Sequence, residues 1–228
     1  MLKTRKCHRI SLVVISMPVA IAEEFNRVYD LNGNLVTGDG FYREYNELNQ
    51  LIRIRNSSST GIILEEFTWH PVEEKILIKD VFHKGIKNHT VYYVSQEFIR
   101  IENSSGNFTE KYIYQDNVLV AQVNTNGNKE FIHNDHEGSS VLITDLSGNV
   151  IENTFYSPHG EILSGGKASR FDSEGKEYDE LVKDYDFHFR KCKPEWGCIF
   201  IQPDTLIPNV YDPQSLNRYS FERNNPYK

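Results

Sequence analysis

The sequence predicts an all-β protein in which antiparallel β-hairpin repeats form a curved open sheet or partial shell, with a less regular C-terminal third. The first observation is compositional, because 13 Tyr and 13 Phe accompany many Ile, Val and Thr residues, and such side chains favour strands. The second is a repeat, since Gly85, Gly106, Gly127 and Gly148 follow one another at equal intervals of 21 residues. One hairpin per repeat fits this period.

Each repeat glycine is predicted to reverse the chain between two strands. Three of the four are followed by Asn and preceded by Ser or Asn, residues that tolerate a positive φ in a tight turn. Residues 111–114 and 118–123 are short apolar or aromatic segments on either side of Asp116-Asn117, which is typical of two hairpin arms. Stacking the repeats aligns two sets of side chains: Tyr93, Tyr114 and Tyr156, and then Ile99, Val120, Val141 and Ile162.

The first 22 residues have the three-part layout of a secretory signal peptide. Four basic residues precede an apolar run of about 12 residues, and cleavage is expected after Ala22. An uncleaved anchor is the alternative, but about 20 apolar residues are needed to span a bilayer. We therefore expect residues 1–22 to be removed, the product to be secreted or held at the cell surface, and no stable membrane span.

The charge balance argues against a nucleic-acid partner. Acidic residues outnumber basic ones by 32 to 25, and no basic stripe is visible. The sequence also lacks a Gly-rich phosphate loop in the right context and any recognisable Ser-His-Asp or Cys-His site, so no cofactor and no metal are expected.

Export makes a local disulfide between Cys192 and Cys198 plausible, because the compartment is oxidising. Four asparagines fit the glycosylation acceptor pattern: Asn56, Asn88, Asn103 and Asn107. An acidic cluster lies between residues 172 and 180, and it lacks the ligand spacing of a calcium loop, so a solvated loop is the favoured interpretation.

Four segments give the chain a family resemblance. The first runs from His133 to Glu161 through Asn134-Asp135-His136-Glu137-Gly138, and the others are residues 175–180, 200–205 and 217–226. In order and spacing these segments resemble the core of the Rhs or YD-repeat proteins, which include the teneurins. The resemblance extends from about Tyr29 to the end. After the predicted signal peptide (1–22), we therefore expect a YD-repeat hairpin region (23–164) and part of the repeat-associated core (165–228).

The resemblance implies a spiral of hairpins that closes into a hollow shell, with the core at one end and a variable toxin after it. In that family the core is also an aspartyl autoprotease, and Asp204 corresponds by motif to the Asp of its Pro-Asp element. Other carboxylates are then expected around Asp204, since a pair can share acid and base roles. The sequence ends before the family's Asp-Pro-x-Gly cleavage element, which weakens that enzymatic interpretation.

Two functions follow from these observations. The first is an exported structural or interaction protein, a fragment of an encapsulating shell that has no free-standing catalytic activity and engages other protein chains or cell-surface glycans. The second is a toxin-delivery module whose aspartyl autoprotease activity is completed by a further C-terminal segment.

Overall fold

The computed structural model describes residues 26–207 and 209–225. The signal peptide predicted for residues 1–22, with its cleavage after Ala22, lies outside the described residues. In residues 26–207 and 209–225, no helix is long and apolar enough to cross a membrane.

Thirteen antiparallel strands form one open sheet, in which every strand pairs with its neighbours in sequence. The strands are β1 (Val28–Tyr29), β2 (Leu35–Thr37), β3 (Phe41–Tyr45), β4 (Leu51–Asn56), β5 (Ile63–Trp69), β6 (Ile76–His83), β7 (Ile86–Ser95), β8 (Phe98–Asn103), β9 (Gly106–Gln115), β10 (Val118–Val123), β11 (Lys129–Asn134), β12 (Ser140–Asp145) and β13 (Val150–Asn153). The predicted all-β fold of antiparallel hairpins is therefore confirmed.

The remaining chain is less regular and forms smaller elements. A two-stranded hairpin consists of β14 (Phe155–Tyr156) and β15 (Ile162–Ser164), and a four-stranded sheet of β16 (Glu177–Asp179), β17 (Asp184–Phe187), β18 (Arg190–Lys193) and β19 (Ile199–Phe200). Short 3-10 turns lie at Ser173–Gly175, Pro194–Trp196, Pro213–Leu216 and Glu222–Asn224. We call the described residues from 165 onward the C-terminal layer.

The repeat glycines lie where they were predicted, at the reversals between strands. Gly85, Gly127 and Gly148 lie between β6 and β7, between β10 and β11 and between β12 and β13, whereas Gly106 is the first residue of β9. All four have a positive φ. Each interval of 21 residues thus contains one pair of strands.

Several of the turns share one hydrogen-bonding pattern. In the turn between β10 and β11, the Asn124 side chain accepts hydrogen bonds from the backbone amides of Asn126 and Asn128, each at 3.0 Å. Gly127 occupies the fourth position with a φ of 81°. The same pattern begins at Asp30, Asn46, Asp135 and Asp145. Such turns require a short side-chain acceptor at the first position and, three residues later, a residue that tolerates a positive φ.

One register detail differs from the simple repeat. Stacking aligns Ile99 with Val120, yet the buried side chains are Ile99 and Leu119, while Val120 is only partly buried. The cause is a register shift between Leu119 and Ala121, where β9 pairs with β10. A bulge of this kind moves the inward position by one residue, because side chains alternate along a strand.

The C-terminal layer packs on one face of the large sheet, which we call the inner face. Val182 is fully buried among Leu51, Ile54, Phe67 and Ile76 of β4 to β6. Farther along the inner face, the Phe171 ring lies edge-on to the Tyr112 ring, with centroids 4.8 Å apart. Burying these apolar groups contributes about 2 kcal/mol for each side chain removed from water.

Candidate functional site: the charged interface under the C-terminal layer

The interface between the inner face and the C-terminal layer contains an unusual number of buried charged groups. On the sheet side, Glu65 of β5 and Lys79 of β6 point toward the layer, and their side chains are 1% and 10% exposed. The layer contributes Asp179 of β16, whose carboxylate contacts the same Lys79 ammonium. The Lys79 Nζ also lies 3.0 Å from Glu65 Oε1. Two carboxyl groups therefore share one cation away from water.

The electrostatics of this pair are asymmetric. Burial and the neighbouring Asp179 raise the pKa of Glu65 to about 8. Burial also pushes the pKa of Asp179 upward, but Lys79 and Lys191 outweigh it and hold that pKa below its ordinary value. Because like charges this close disfavour double ionisation, retention of one proton by the pair is favoured, with Glu65 rather than Asp179 as the group that holds it more readily.

Two further ion pairs lie beside this site. Arg43 is completely buried and binds Asp39 through both of its terminal nitrogens, at 2.8 and 2.6 Å. Lys193 of β18 reaches the same Asp39 carboxylate at 3.1 Å. These contacts tie the loop before β3 to the C-terminal layer through a doubly paired carboxylate.

Lys191 and Asp184 complete the buried set. The Lys191 Nζ lies 3.8 Å from Asp184 Oδ1 and 3.5 Å from Asp186 Oδ2. Asp184 is fully buried, and within the described part of the chain neither of its carboxylate oxygens has a hydrogen-bond partner. Burial raises the pKa of Asp184 against the opposing effect of Lys191.

Arg170 joins the layer to the middle of the sheet. Its guanidinium group lies 3.0 Å from Glu110 and 3.1 Å from Glu177, and the Tyr93 hydroxyl donates to Glu177 at 2.9 Å. Next to these groups the two layers enclose a cavity of about 510 Å³, lined by Tyr93, Tyr114 and Phe171 among others. The inner face is thus polar at its contacts with the layer and partly open between them.

The acidic cluster expected to be a solvated loop is largely buried, so that prediction was wrong. Asp172, Glu177 and Asp179 are 2%, 9% and 7% exposed. The Tyr156 hydroxyl donates to Asp172, Lys79 of the sheet contacts Asp179, and Arg170 of the layer itself pairs with Glu177. The physical reason is that the layer covers a face of the sheet that carries its own charged side chains. Among the residues that the structure describes, no group of three or more His, Cys, Asp or Glu is arranged to hold a metal ion.

Asp204 lies at the end of the layer, outside the buried charge network. Its carboxylate is paired with Arg190 at 3.0 Å and accepts a hydrogen bond from the Leu206 amide at 2.9 Å. Its backbone amide donates to the Arg218 carbonyl at 2.8 Å. The structure thus gives Asp204 a cationic neighbour where the resemblance implied other carboxylates. A catalytic role for Asp204 stays a prediction.

Cys192 and Cys198 are joined in the structure, with their Cα atoms 5.0 Å apart, and both are buried against Tyr185 and Phe200. The four glycosylation candidates, Asn56, Asn88, Asn103 and Asn107, all lie on the exposed surface. Modification at those positions stays a prediction.

Sequence reasoning did not identify Glu65, Lys79, Lys191 or Lys193 as members of a site. A signal was nevertheless present in strand parity. Glu65 is two residues from Phe67, so the two side chains share one face of β5 and are buried together.

This geometry defines a class of protein: a sheet of consecutive hairpins whose inner face is covered by the chain's own C-terminal layer. Comparison with known families agrees, because the model of the teneurin YD-shell matches residues 19–227. The chain belongs to the teneurin YD-shell family.

Individual relatives are much longer than this chain. The tRNA3(Ser)-specific nuclease WapA of Bacillus spizizenii is 24% identical over 204 residues, which are 87% of this chain and 8% of that protein. Among solved structures, the TcdB2-TccC3-Cdc42 complex matches with a TM-score of 0.72 and 17% identity, over 87% of this chain and 10% of the matched chain. The Tc holotoxin pore of Photorhabdus luminescens matches with a TM-score of 0.71 and 18% identity, over the same shares. The chain therefore spans about a tenth of the length of the proteins it matches.

Proposed function

We propose that this chain is an exported structural protein, a section of an encapsulating shell, which binds other protein chains and has no catalytic activity of its own. The observation that carries the proposal is an uncovered edge of the large sheet. An unpaired strand edge presents free backbone donors and acceptors and therefore seeks a partner strand.

The uncovered edge is strand β13. It pairs with β12 on one side, and no described strand lies on its other side. Val150 and Ile151 of β13 are 62% and 45% exposed. The other end of β13 is covered, because the amides of Lys167 and Ala168 donate to the Glu152 side chain. The uncovered part of β13 is therefore its apolar start, which has neither a charged residue nor a proline, the residues that commonly protect an edge.

The opposite end of the sheet is protected. The Tyr219 ring lies against Tyr29 of β1 with centroids 5.8 Å apart, and its hydroxyl donates to the Gly33 carbonyl at 2.9 Å. The Arg27 guanidinium group stacks 3.9 Å from the Trp196 ring centroid. Because one end is covered by the chain's own C-terminal layer, growth of the sheet is expected at β13 alone.

The length comparison supports a shell role. Solved relatives carry this fold within chains about ten times longer, so a single section needs additional strands to enclose a volume. We infer that the partner that pairs with β13 is another strand of the same hairpin-repeat type. Such a strand would recognise β13 by forming antiparallel backbone hydrogen bonds with it and by packing against its apolar side chains.

Sedimentation analysis of the purified chain tests this proposal. The wild-type protein is expected to associate reversibly with increasing concentration, and Ile151→Lys is expected to stay monomeric because it places a charge on the edge. Leu48→Lys is the matched control, since Leu48 is 67% exposed but lies in the turn between β3 and β4. Equal association of all three proteins would contradict the role of β13.

Autoproteolysis is the alternative, favoured by the match of Asp204 to the family's Pro-Asp element. Intact-mass spectrometry distinguishes the two functions. Under our proposal, the wild-type protein and Asp204→Asn keep the same termini on incubation. A wild-type product that ends before Lys228 and is absent from Asp204→Asn would establish the autoprotease.

The same mass measurement on material from the culture medium tests export. A chain that begins at Glu23 is expected after removal of residues 1–22. Full-length protein confined to the cell would contradict an exported product.

A further inference from the structure

The charged interface under the C-terminal layer holds more carboxyl groups than cations. Apart from the neighbouring group of Arg170, Glu110 and Glu177, the described residues place four cations and five carboxyl groups together around Lys79 and Lys191. The cations are Arg43, Lys79, Lys191 and Lys193, and the carboxyl groups are Asp39, Glu65, Asp179, Asp184 and Asp186. Their side chains are no more than 18% exposed. Such a set is electrically neutral when one carboxyl group carries a proton. An uncompensated buried charge is costly, so the neutral arrangement is favoured.

Glu65 and Asp184 both have buried carboxyl oxygens without a hydrogen-bond partner among the described residues, and Glu65 is the one that lies on the sheet side and shares Lys79 with a carboxylate of the layer. Its Oε1 atom lies beside Lys79, whereas its buried Oε2 atom has no hydrogen-bond partner among the described residues. The Asp179 carboxylate contacts the same Lys79 ammonium, which places it beside Glu65 across the interface. A proton on Glu65 would remove the repulsion between the two carboxylates and supply an O–H donor where an unpaired acceptor now lies.

The groups that face Glu65 come from both layers. Lys79 reaches it from β6, while Asp179 of β16 and Lys191 of β18 act on it from the C-terminal layer. The Glu65–Asp179 contact therefore crosses the interface, and its strength depends on whether the layer is in place.

We propose that Glu65 and Asp179 form a pH-sensitive latch, which holds the C-terminal layer on the sheet while the pair carries one proton and weakens as rising pH removes that proton. Loss of the proton leaves two adjacent buried carboxylates with one shared ammonium, and detachment of the layer relieves their repulsion by admitting water. The inner face, including the covered side of the cavity of about 510 Å³, then becomes more accessible.

The direction in which pH changes the stability of the closed layer follows from proton linkage. Glu65 has an ordinary pKa of 4.5, and burial with Asp179 nearby raises it to about 8 in the folded protein. Its stabilising contribution is fully present below about pH 4.5, declines as pH rises, and is lost once pH passes through 8. Asp179 has a lowered pKa and keeps its charge throughout this range. Closure is thus firmest in mildly acidic solution and weakest above pH 8.

Hydrogen exchange of the full chain between pH 5 and pH 8.5 tests the latch. Exchange rates are corrected for the intrinsic pH dependence of amide exchange, and peptides around Val182 are compared with peptides from β11, which pairs with sheet strands on both sides. In the wild-type protein the opening constant of the layer is expected to rise by up to tenfold per pH unit, the limit for one proton. The peptides from β11 are expected to show no such rise.

Glu65→Gln is the decisive variant, because its side-chain amide can donate to Asp179 at every pH. Its layer is expected to open no more at pH 8.5 than at pH 5. Glu47→Gln, in an exposed turn, is the matched control and should keep the wild-type profile. The proposal is overturned if the wild-type layer opens equally at all pH values or opens more in acid. It is also overturned if the opening constant of Glu65→Gln rises with pH as steeply as that of the wild-type protein.

A measurement on the wild-type protein keeps the test valid if Glu65→Gln does not fold. Infrared difference spectra of protein labelled with ¹³C-glutamate should show a protonated glutamate carboxyl band at pH 6 that disappears as pH passes 8. Burial also raises the pKa of Glu174 to about 7, so the same band should persist in Glu174→Gln. Absence of that band at pH 6 would refute a proton on Glu65.

Discussion

Replacing Gly127 by alanine isolates the energetic role of a single turn position. Gly127 has a φ of 81°, and a Cβ atom added there would meet no heavy atom within 4 Å. The added methyl group therefore makes no steric clash, and any loss of stability comes from the strained backbone conformation alone. For an L-residue other than glycine, the left-handed conformation costs about 1 to 2 kcal/mol. Lower entropy of the unfolded chain returns about 0.5 kcal/mol of this.

We expect Gly127→Ala to lower the free energy of unfolding by about 1 kcal/mol. Gly127→Asn should cost less than half as much, because Asn tolerates this region and Asn49 occupies the same turn position with a φ of 62°. Asn126→Ala, in the same turn, is the control and should change stability by less than about 0.5 kcal/mol.

Urea denaturation, followed by the fluorescence of Trp69 and Trp196, measures all three variants in one assay. These tryptophans lie in the large sheet and in the C-terminal layer, so the signal also reports whether both unfold together. The explanation is refuted if Gly127→Ala is as stable as the wild-type protein, or if Gly127→Asn and Gly127→Ala lower the free energy of unfolding equally.

Three further predictions concern packing and cross-links. Reduction of the Cys192–Cys198 disulfide should lower the free energy of unfolding by about 2 kcal/mol, as expected for so short a loop, and denaturation with and without reductant measures it; an unchanged midpoint would contradict this. Arg170→Met should cost about 3 kcal/mol in the same assay, because it leaves two partly buried glutamates without their cation, and a neutral effect would mean that both are solvated. Ile143→Ala, at a position 1% exposed, should cost about 2 to 5 kcal/mol through the cavity it leaves, and a loss below 1 kcal/mol would show that the core collapses around the site.

The large sheet of consecutive hairpins could be predicted from sequence because each of its connections is local. A turn such as the one at Asp145 needs only five consecutive residues, in which a side-chain acceptor, a glycine and two amides satisfy one another. Gly148 therefore marks a reversal whatever the rest of the chain does. The register inside a hairpin is less local, since the bulge at Leu119 and Ala121 adds one residue that the interval between glycines does not reveal.

The C-terminal layer could not be predicted in the same way, because its partners are distant in sequence. Lys79 and Asp179 are separated by 100 residues, and nothing near either residue indicates the other. In isolation the acidic cluster resembles a solvated loop. Its burial depends on cations that the sheet supplies from β6 and on Arg170 within the layer itself.

Strand parity offers a way to anticipate such an interface. In β5, the side chains of Glu65 and Phe67 point to the same face, so a sequence that buries Phe67 also removes Glu65 from water. In β6, Lys79 pairs directly with Phe67 and shares that face. A sheet that carries buried charges of both signs needs a cover with complementary charges, because unpaired ions are too costly to bury. The alternation of charged and aromatic residues in β5 and β6 thus implies a second, charged layer, even though it cannot say which residues form it.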